Sequence, residues 1–141
     1  EYNVRMGDPE TEVVIPRLKT DILDLFEAAA RGTLADCHFE LDERYCTTVM
    51  LVAGGYPGSY EKGNVIHGIS EVNDSILFHA GTKRVDGEAV TNGGRVMAVS
   101  SFGEKMEDAL QQSYENVSKI SFKEMYYRRD IGQDLLEKVQ S

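Results

Sequence analysis

A chain of 141 residues, 41% of them hydrophobic, can bury one modest core. Its formal net charge of −9 excludes a nucleic-acid binder, which needs a basic face to neutralise phosphates. No apolar run is long enough for a membrane helix and none reads as a signal peptide; Cys37 and Cys46 are too few for a disulfide scaffold or zinc site, so free thiols in a reducing, cytoplasmic setting are expected.

The first six residues read as a strand. Alternation then puts Glu1, Asn3 and Arg5 on one face and Tyr2, Val4 and Met6 on the other. The first face carries a carboxylate, an amide oxygen and a guanidinium. Hard cations such as Mg²⁺ take one or two such oxygens and complete their shell with water and substrate phosphates, while the guanidinium fork suits phosphate oxygens. The competing reading of the same pattern is an edge strand with solvated polar residues. Asp8 and Pro9 form an N-cap and a first helical residue, which turns free backbone N–H groups toward the strand end. The helix runs from about Pro9, and Pro16 kinks or ends it.

Leu18, Ile22, Leu25, Phe26 and Ala29 recur at helical spacing and predict a second helix, stopped by Gly32. Lys19, Asp21, Asp24 and Glu27 fall on its solvated faces. From Cys37 the period becomes strand-like: His38–Asp42 reads as a short strand with Phe39 and Leu41 on one side, and Asp42-Glu43 as a turn. The β-branched, apolar run from Tyr45 to Ala53 reads as a central strand. It ends in Gly54-Gly55-Tyr56-Pro57-Gly58, which is either a tight connection or a loop whose backbone N–H groups cradle an anion, with Tyr60 and Lys62 within reach.

Ser75–Thr82 is the next strand. Asp86-Gly87 predicts a hairpin returning through Glu88–Thr91, and Arg95–Ser100 follows Asn92-Gly93-Gly94, so the strands read as an antiparallel meander. His79, near a strand end, reads as a hydrogen-bonded structural residue rather than a base, and His38 and His67 carry no motif. Glu104–Ile120 is an amphipathic helix with Met106, Ala109, Leu110, Ser113, Tyr114, Val117 and Ile120 in one stripe, set to cover one face of the sheet. Arg128 and Arg129 either bind a phosphate or pair with Asp130 and nearby carboxylates. A last helix from about Ile131 turns Leu135, Leu136 and Val139 inward.

The string Glu1-Tyr2-Asn3-Val4-Arg5-Met6-Gly7-Asp8-Pro9-Glu10-Thr11 resembles the metal and phosphate segment of the phosphoribosylamine–glycine ligase family, in the ATP-grasp superfamily. The resemblance continues in order through Pro16-Arg17-Leu18-Lys19, the stretch from Gly54 to Gly63, Phe78-His79-Ala80-Gly81-Thr82-Lys83, Thr91-Asn92-Gly93-Gly94-Arg95-Val96 and Tyr126-Tyr127-Arg128-Arg129-Asp130-Ile131-Gly132. It departs at Met6, where Phe is more usual, and at Glu12, where Gln is; neither touches a proposed ligand.

The resemblance implies an α+β chain. Residues 1–35 would be the end of an ATP-grasp lobe, and residues 36–141 a small antiparallel-sheet domain covered by helices. The reaction implied joins glycine to 5-phosphoribosylamine with ATP, through a glycyl phosphate. Glu1 and Asn3 would be ligands of Mg²⁺ or Mn²⁺, and Arg5 would stabilise charge on the transferring group. Asp8 and Glu10 would orient the amine or cap the helix. Gly54, Gly55, Tyr56, Pro57, Gly58, Lys62, Lys83 and Arg128 would contribute to substrate binding. The chain starts inside the metal motif, so an upstream remainder of the enzyme is the implied partner, and this piece alone is expected to be inactive. No nucleic acid and no membrane are expected. The rival readings are another ATP-grasp ligase and a non-catalytic interaction module. The Gly-Asp-Pro-Glu-Thr and Gly-Gly-Tyr-Pro-Gly strings together speak against the first, and the joint presence of Glu1, Asn3 and Arg5 against the second.

Overall fold

The computed structural model describes residues 4–7 and 9–135, and divides into two compact units, Glu1–Arg44 and Tyr45–Ser141. The secondary structure is α+β, as expected.

In the first unit, Val4–Met6, the described part of the strand expected over residues 1–6, form no strand. The physical reason is pairing: among the described residues no strand lies beside them, and unpaired backbone is better satisfied by water than by an isolated extended segment. Glu1, Asn3 and Asp8 lie outside the described residues. Helix α1 spans Thr11–Arg17 rather than starting at Pro9. The Glu10 side chain reaches back instead, accepting the Gly7 N–H at 2.8 Å. Pro16 sits in the last turn, and the helix ends one residue later.

Helix α2 spans Ile22–Arg31. Asp21 caps it by accepting the Leu23 N–H, and left-handed Gly32 closes it. Leu18, expected on its apolar face, lies outside the helix and bridges to Leu41. The expected strand at His38–Asp42 is absent: a 3₁₀ turn at Leu34–Asp36 precedes an irregular segment tied by Lys19 N–H and Thr20 to Glu40. A short segment whose hydrogen bonds go to side chains and a neighbouring loop has no ladder to extend. Leu25, Phe26, Ala29, Leu34, Cys37 and Phe39 line an open apolar recess of about 530 Å³.

The second unit is built on an antiparallel sheet in the order β1-β5-β2, where β1 is Tyr45–Val52, β2 Ser75–His79 and β5 Arg95–Gly103. The expected central strand, β1, is an edge; β5 is central and is buried continuously from Val96 to Ser101. Two-sided burial removes alternation, so a strand of this kind reads as apolar throughout and its neighbours cannot be ranked by pattern. The expected single strand Ser75–Thr82 breaks at Ala80-Gly81. Beyond the break, β3 (Thr82–Val85) and β4 (Glu88–Thr91) form a separate hairpin, so the strands do not run as a meander. Its turn residues Asp86 and Gly87 both have positive φ, at 49° and 89°, as a two-residue turn of the primed type requires.

Helix α3 (Met106–Val117) packs on β5 and β1 through Ala109, Leu110, Ser113 and Val117, and Ile120 continues the core beyond the helix end. Leu135 is half exposed rather than inward, and Leu136 and Val139 lie outside the described residues. Between helix and sheet runs a polar layer. Thr47 Oγ1 and Ser113 Oγ are 2.9 Å apart, Ser113 Oγ donates to Ser101 Oγ at 2.9 Å, and Ser101 and Ser75 hydroxyls lie at 2.7 Å. Buried Asn116 ends it, donating Nδ2–H to Ser75 Oγ and to the Asn73 carbonyl and accepting from Lys119 Nζ. Removing one partner from such a network leaves buried groups unpaired. Asn116→Ala should therefore lower unfolding free energy by about 2–3 kcal/mol, read by urea denaturation, while a change within about 0.5 kcal/mol would show that water replaces the amide.

Candidate functional site

Three glycine-bearing segments far apart in sequence meet at one end of the sheet. The loop at Gly54–Gly58 follows β1, Gly81 sits between β2 and β3, and Gly93-Gly94 precedes β5. Ala53 N–H donates to the Gly94 carbonyl at 2.8 Å, and Gly81 N–H to the Arg95 carbonyl at 2.7 Å. The backbones approach so closely that a Cβ on Gly81 would lie 2.6 Å from the Gly93 Cα, and one on Gly94 would lie 2.1 Å from the Tyr56 ring. Glycine is needed here for close packing, independently of any ligand. Tyr56 and Tyr60 pack at 6.2 Å between centroids, and the Lys62 ammonium lies 6.0 Å from the Tyr60 ring centroid.

The loop uses part of its own hydrogen-bonding capacity. Tyr56 N–H donates to the Ala53 carbonyl and Gly58 N–H to the Gly55 carbonyl, and Pro57 has none to give. The amides of Gly54 and Gly55 are the ones left outside these turns. Gly54 is overlaid by Glu124, to whose Cβ an added Cβ would come within 2.5 Å. Val52 and Tyr126 exchange both backbone hydrogen bonds, at 2.9 and 3.0 Å, so the segment around residue 126 is fixed beside the start of the loop.

Of the residues singled out in the sequence, Gly54–Gly58 and Lys62 are brought together, through the Tyr56–Tyr60 pair. Lys83 sits on the β3–β4 hairpin opposite Val90, exposed. Arg128 forms a two-pronged pair with Asp130, Nε to Oδ1 at 3.0 Å and Nη2 to Oδ2 at 2.8 Å. Arg5 is exposed and donates from Nη1 to the Met6 carbonyl at 2.8 Å. His79 Nδ1 lies 2.9 Å from Thr82 Oγ1, the structural role expected of it. Cys37 and Cys46 are free thiols. Among the described residues no three His, Cys, Asp or Glu side chains cluster to hold a metal, and no helix is long and apolar enough to cross a membrane.

Sequence reasoning missed how the arginine turn is held. Tyr114, read only as part of an apolar stripe, donates its hydroxyl to the Arg128 carbonyl at 2.9 Å and accepts the Ile131 N–H at 3.1 Å. Periodicity finds the buried ring but carries no information about a hydroxyl partner seventeen residues on.

This is the α+β architecture of a ligase carboxy-terminal domain. The profile of the family described as "Phosphoribosylglycinamide synthetase, C domain" matches residues 46–134, and the chain belongs to that family. It is 42% identical over 94% of its length to the phosphoribosylamine–glycine ligase of Caldanaerobacter subterraneus subsp. tengcongensis, covering 32% of that protein. It is 44% identical over 99% of its length to a bifunctional purine biosynthetic protein of Dictyostelium discoideum, covering 18% of it. The crystal structure of phosphoribosylamine–glycine ligase from Thermotoga maritima superposes with a TM-score of 0.77 at 37% identity, over 92% of this chain and 32% of that one. The chain thus spans about a third of the length of the single-function ligases it matches.

The Arg128–Asp130 pair has a measurable electrostatic signature. The hydrogen bond from Arg128 holds the Asp130 carboxyl below the usual carboxylate value and raises the Arg128 guanidinium in turn. Because the folded value is the lower one, the pair contributes above the ordinary carboxylate range and is lost as pH falls through the folded value. A carboxyl ¹³C titration should find Asp130 titrating below its ordinary value, and Arg128→Ala should return it there; an unshifted Asp130 in the parent chain would mean the pair is open in solution.

Proposed function

We propose that this chain is the carboxy-terminal part of an ATP-dependent ligase that joins glycine to 5-phosphoribosylamine, giving glycinamide ribonucleotide, ADP and phosphate in purine biosynthesis. The observation that carries this reading is the match of nearly the whole chain to proteins named as that ligase. In the reaction, the γ-phosphoryl group of ATP passes to the glycine carboxylate, releasing ADP and leaving glycyl phosphate. The amine of phosphoribosylamine then attacks the acyl carbon, expels phosphate and loses a proton.

Residues 1–35 supply the end of the ATP-grasp lobe, and residues 36–141 the carboxy-terminal domain. Glu1 and Asn3 form the donor set for Mg²⁺ or Mn²⁺. A carboxylate and an amide oxygen fit a hard cation, which relies on ATP phosphates and water for the rest of its shell. When bound, such an ion neutralises charge on the phosphates. Arg5 keeps most of its donors free of the Met6 carbonyl and stabilises charge on the transferring group. Asp8 and Glu10 orient the amine or cap the helix, and the Glu10 carboxylate already accepts the Gly7 N–H. The loop at Gly54–Gly58, Lys62, Lys83 and Arg128 contribute to the phosphoribosylamine side, where Lys62 and the amides of Gly54 and Gly55 supply the positive charge and donors.

Two measurements test this. In the full-length ligase that contains this chain, Glu1→Ala should remove glycine-dependent ADP release while leaving the melting temperature unchanged; near-normal activity at saturating Mg²⁺ would remove Glu1 from the metal site. The 141-residue chain by itself should show no glycine-dependent ADP release and no tight Mg²⁺-ATP site by calorimetry, because phosphoryl transfer needs nucleotide, metal and acceptor held in one geometry. Turnover by the chain alone would overturn the assignment of ATP binding to another part of the enzyme.

A further inference from the structure

We propose that the Glu61–Lys123 ion pair latches the loop of residues 54–62 against the segment at residues 121–126, and that Glu61 and Lys123 are thereby positioning residues for the substrate side of the domain. The proposal rests on the ligase reading only for the identity of that substrate.

The loop is anchored firmly at its ends and lightly between them. Before it, Val52 and Tyr126 exchange both backbone hydrogen bonds, and Ala53 N–H donates to the Gly94 carbonyl at 2.8 Å. After it, Gly63 N–H donates to the Thr91 carbonyl at 2.6 Å, and His67 and Ser121 exchange both bonds, at 2.9 and 3.2 Å. Over residues 54–62 the backbone bonds are short turns, from Tyr56 N–H to the Ala53 carbonyl and from Gly58 N–H to the Gly55 carbonyl. Among the described residues, the polar tie from this stretch to a distant part of the chain is the hydrogen bond from Lys123 Nζ to Glu61 Oε2, at 2.7 Å.

The other half of the latch is fixed. Lys123 lies between the backbone pairings at Ser121 and Tyr126, on a turn closed by the Met125 N–H donating to the Phe122 carbonyl at 3.1 Å. Its neighbour Phe122 is buried in the core. Glu124 has a left-handed φ of 54°, which a residue with a Cβ adopts where its surroundings hold it there. Glu124 overlies Gly54, so the segment touches the loop at Gly54 and grips it at Glu61. The hydrogen bond to Glu61, together with the charges of Glu61 and Glu124, raises the Lys123 ammonium above its ordinary value and keeps it charged at neutral pH.

The latch positions the residue next to it and the turn before it. Lys62 follows Glu61 directly and lies 6.0 Å from the Tyr60 ring centroid, and Tyr60 packs on Tyr56 in the Gly54–Gly58 turn. A loop without an outside tie samples many positions, and ordering it on binding lowers affinity. A loop held before the substrate arrives avoids that loss. Both side chains of the pair are more than half exposed, so the pair is weak and screened by salt. That suits a contact that opens and closes rather than a permanent brace.

The test is made in the full-length ligase that contains this chain. Glu61→Gln and Lys123→Met should each raise KM for phosphoribosylamine about threefold, the size expected of an exposed pair, and leave kcat, KM for ATP and the melting temperature unchanged. The sign of the Glu61 effect separates a latch from a simple charge effect, because removing a carboxylate near a phosphate-bearing substrate would by charge alone lower KM. The double reversal, Glu61→Lys with Lys123→Glu, should bring KM back to within about 1.5-fold of the parent value. By hydrogen exchange, each single variant should speed exchange over residues 54–62 about threefold and leave β5 unchanged, and the double reversal should restore the parent rate. A lowered or unchanged KM in Glu61→Gln, an equal rise in KM for ATP, a double reversal no better than the single variants, or a loop that exchanges as in the parent would each overturn the latch. A full-length protein without glycine-dependent ADP release would overturn the ligase reading instead, while hydrogen exchange would still decide the latch.

Discussion

Strand β5 is hydrogen-bonded on both edges, to β1 and to β2, and its side chains from Val96 to Ser101 are buried on both faces. Everything else in the second unit is placed relative to it. Val49, Leu51, Met97 and Val99 form the apolar floor on which α3 lies. The hydroxyls of Thr47, Ser75, Ser101 and Ser113 and the amide of Asn116 add direction to that contact. Apolar packing alone allows a helix to slide along a sheet, whereas a layer of hydrogen bonds at fixed spacing admits one register.

The ends of β5 and its neighbours then determine where function can reside. At one end the chain passes twice through a space that admits no side chain, at Gly81 and at Gly93-Gly94. Tyr56 fills the adjoining position with its ring, and Tyr60 and Lys62 follow from it. The glycines are therefore constraints of packing first. Any role in ligand binding is superposed on a backbone arrangement that the fold already requires. The same logic links α3 to the arginine turn: Tyr114 contributes its ring to the core and its hydroxyl to the backbone on both sides of Arg129.

The first unit is organised differently. Helix α2 is well capped, by Asp21 and Gly32, yet within it only Ala28 is buried, and Phe26, Leu34 and Phe39 remain more than half or about half exposed. Capping fixes where a helix starts and stops, whereas burial of its apolar face depends on what is packed against it. Asp42 illustrates how local its order is: the side chain and the backbone N–H of Arg44 both bond to the carboxylate and hold it well below the usual carboxylate range.

The family was legible in the sequence because its motifs are contiguous strings, from Gly54-Gly55-Tyr56-Pro57-Gly58 to Arg128-Arg129-Asp130-Ile131-Gly132. The same locality explains which elements could be read: the Asp86-Gly87 turn needs only the dihedral preferences of two neighbours, and α3 needs only a period of 3.6. Strand order was decided elsewhere. β1 and β5 are both apolar runs, and which is central depends on long-range pairing that neither run encodes by itself. The two candidate arginines were likewise equivalent in sequence. Only the folded turn, with Asp130 reaching one guanidinium and the Tyr127 ring lying under the other, separates them, because a charge is occupied or open according to what the tertiary structure brings within hydrogen-bonding distance.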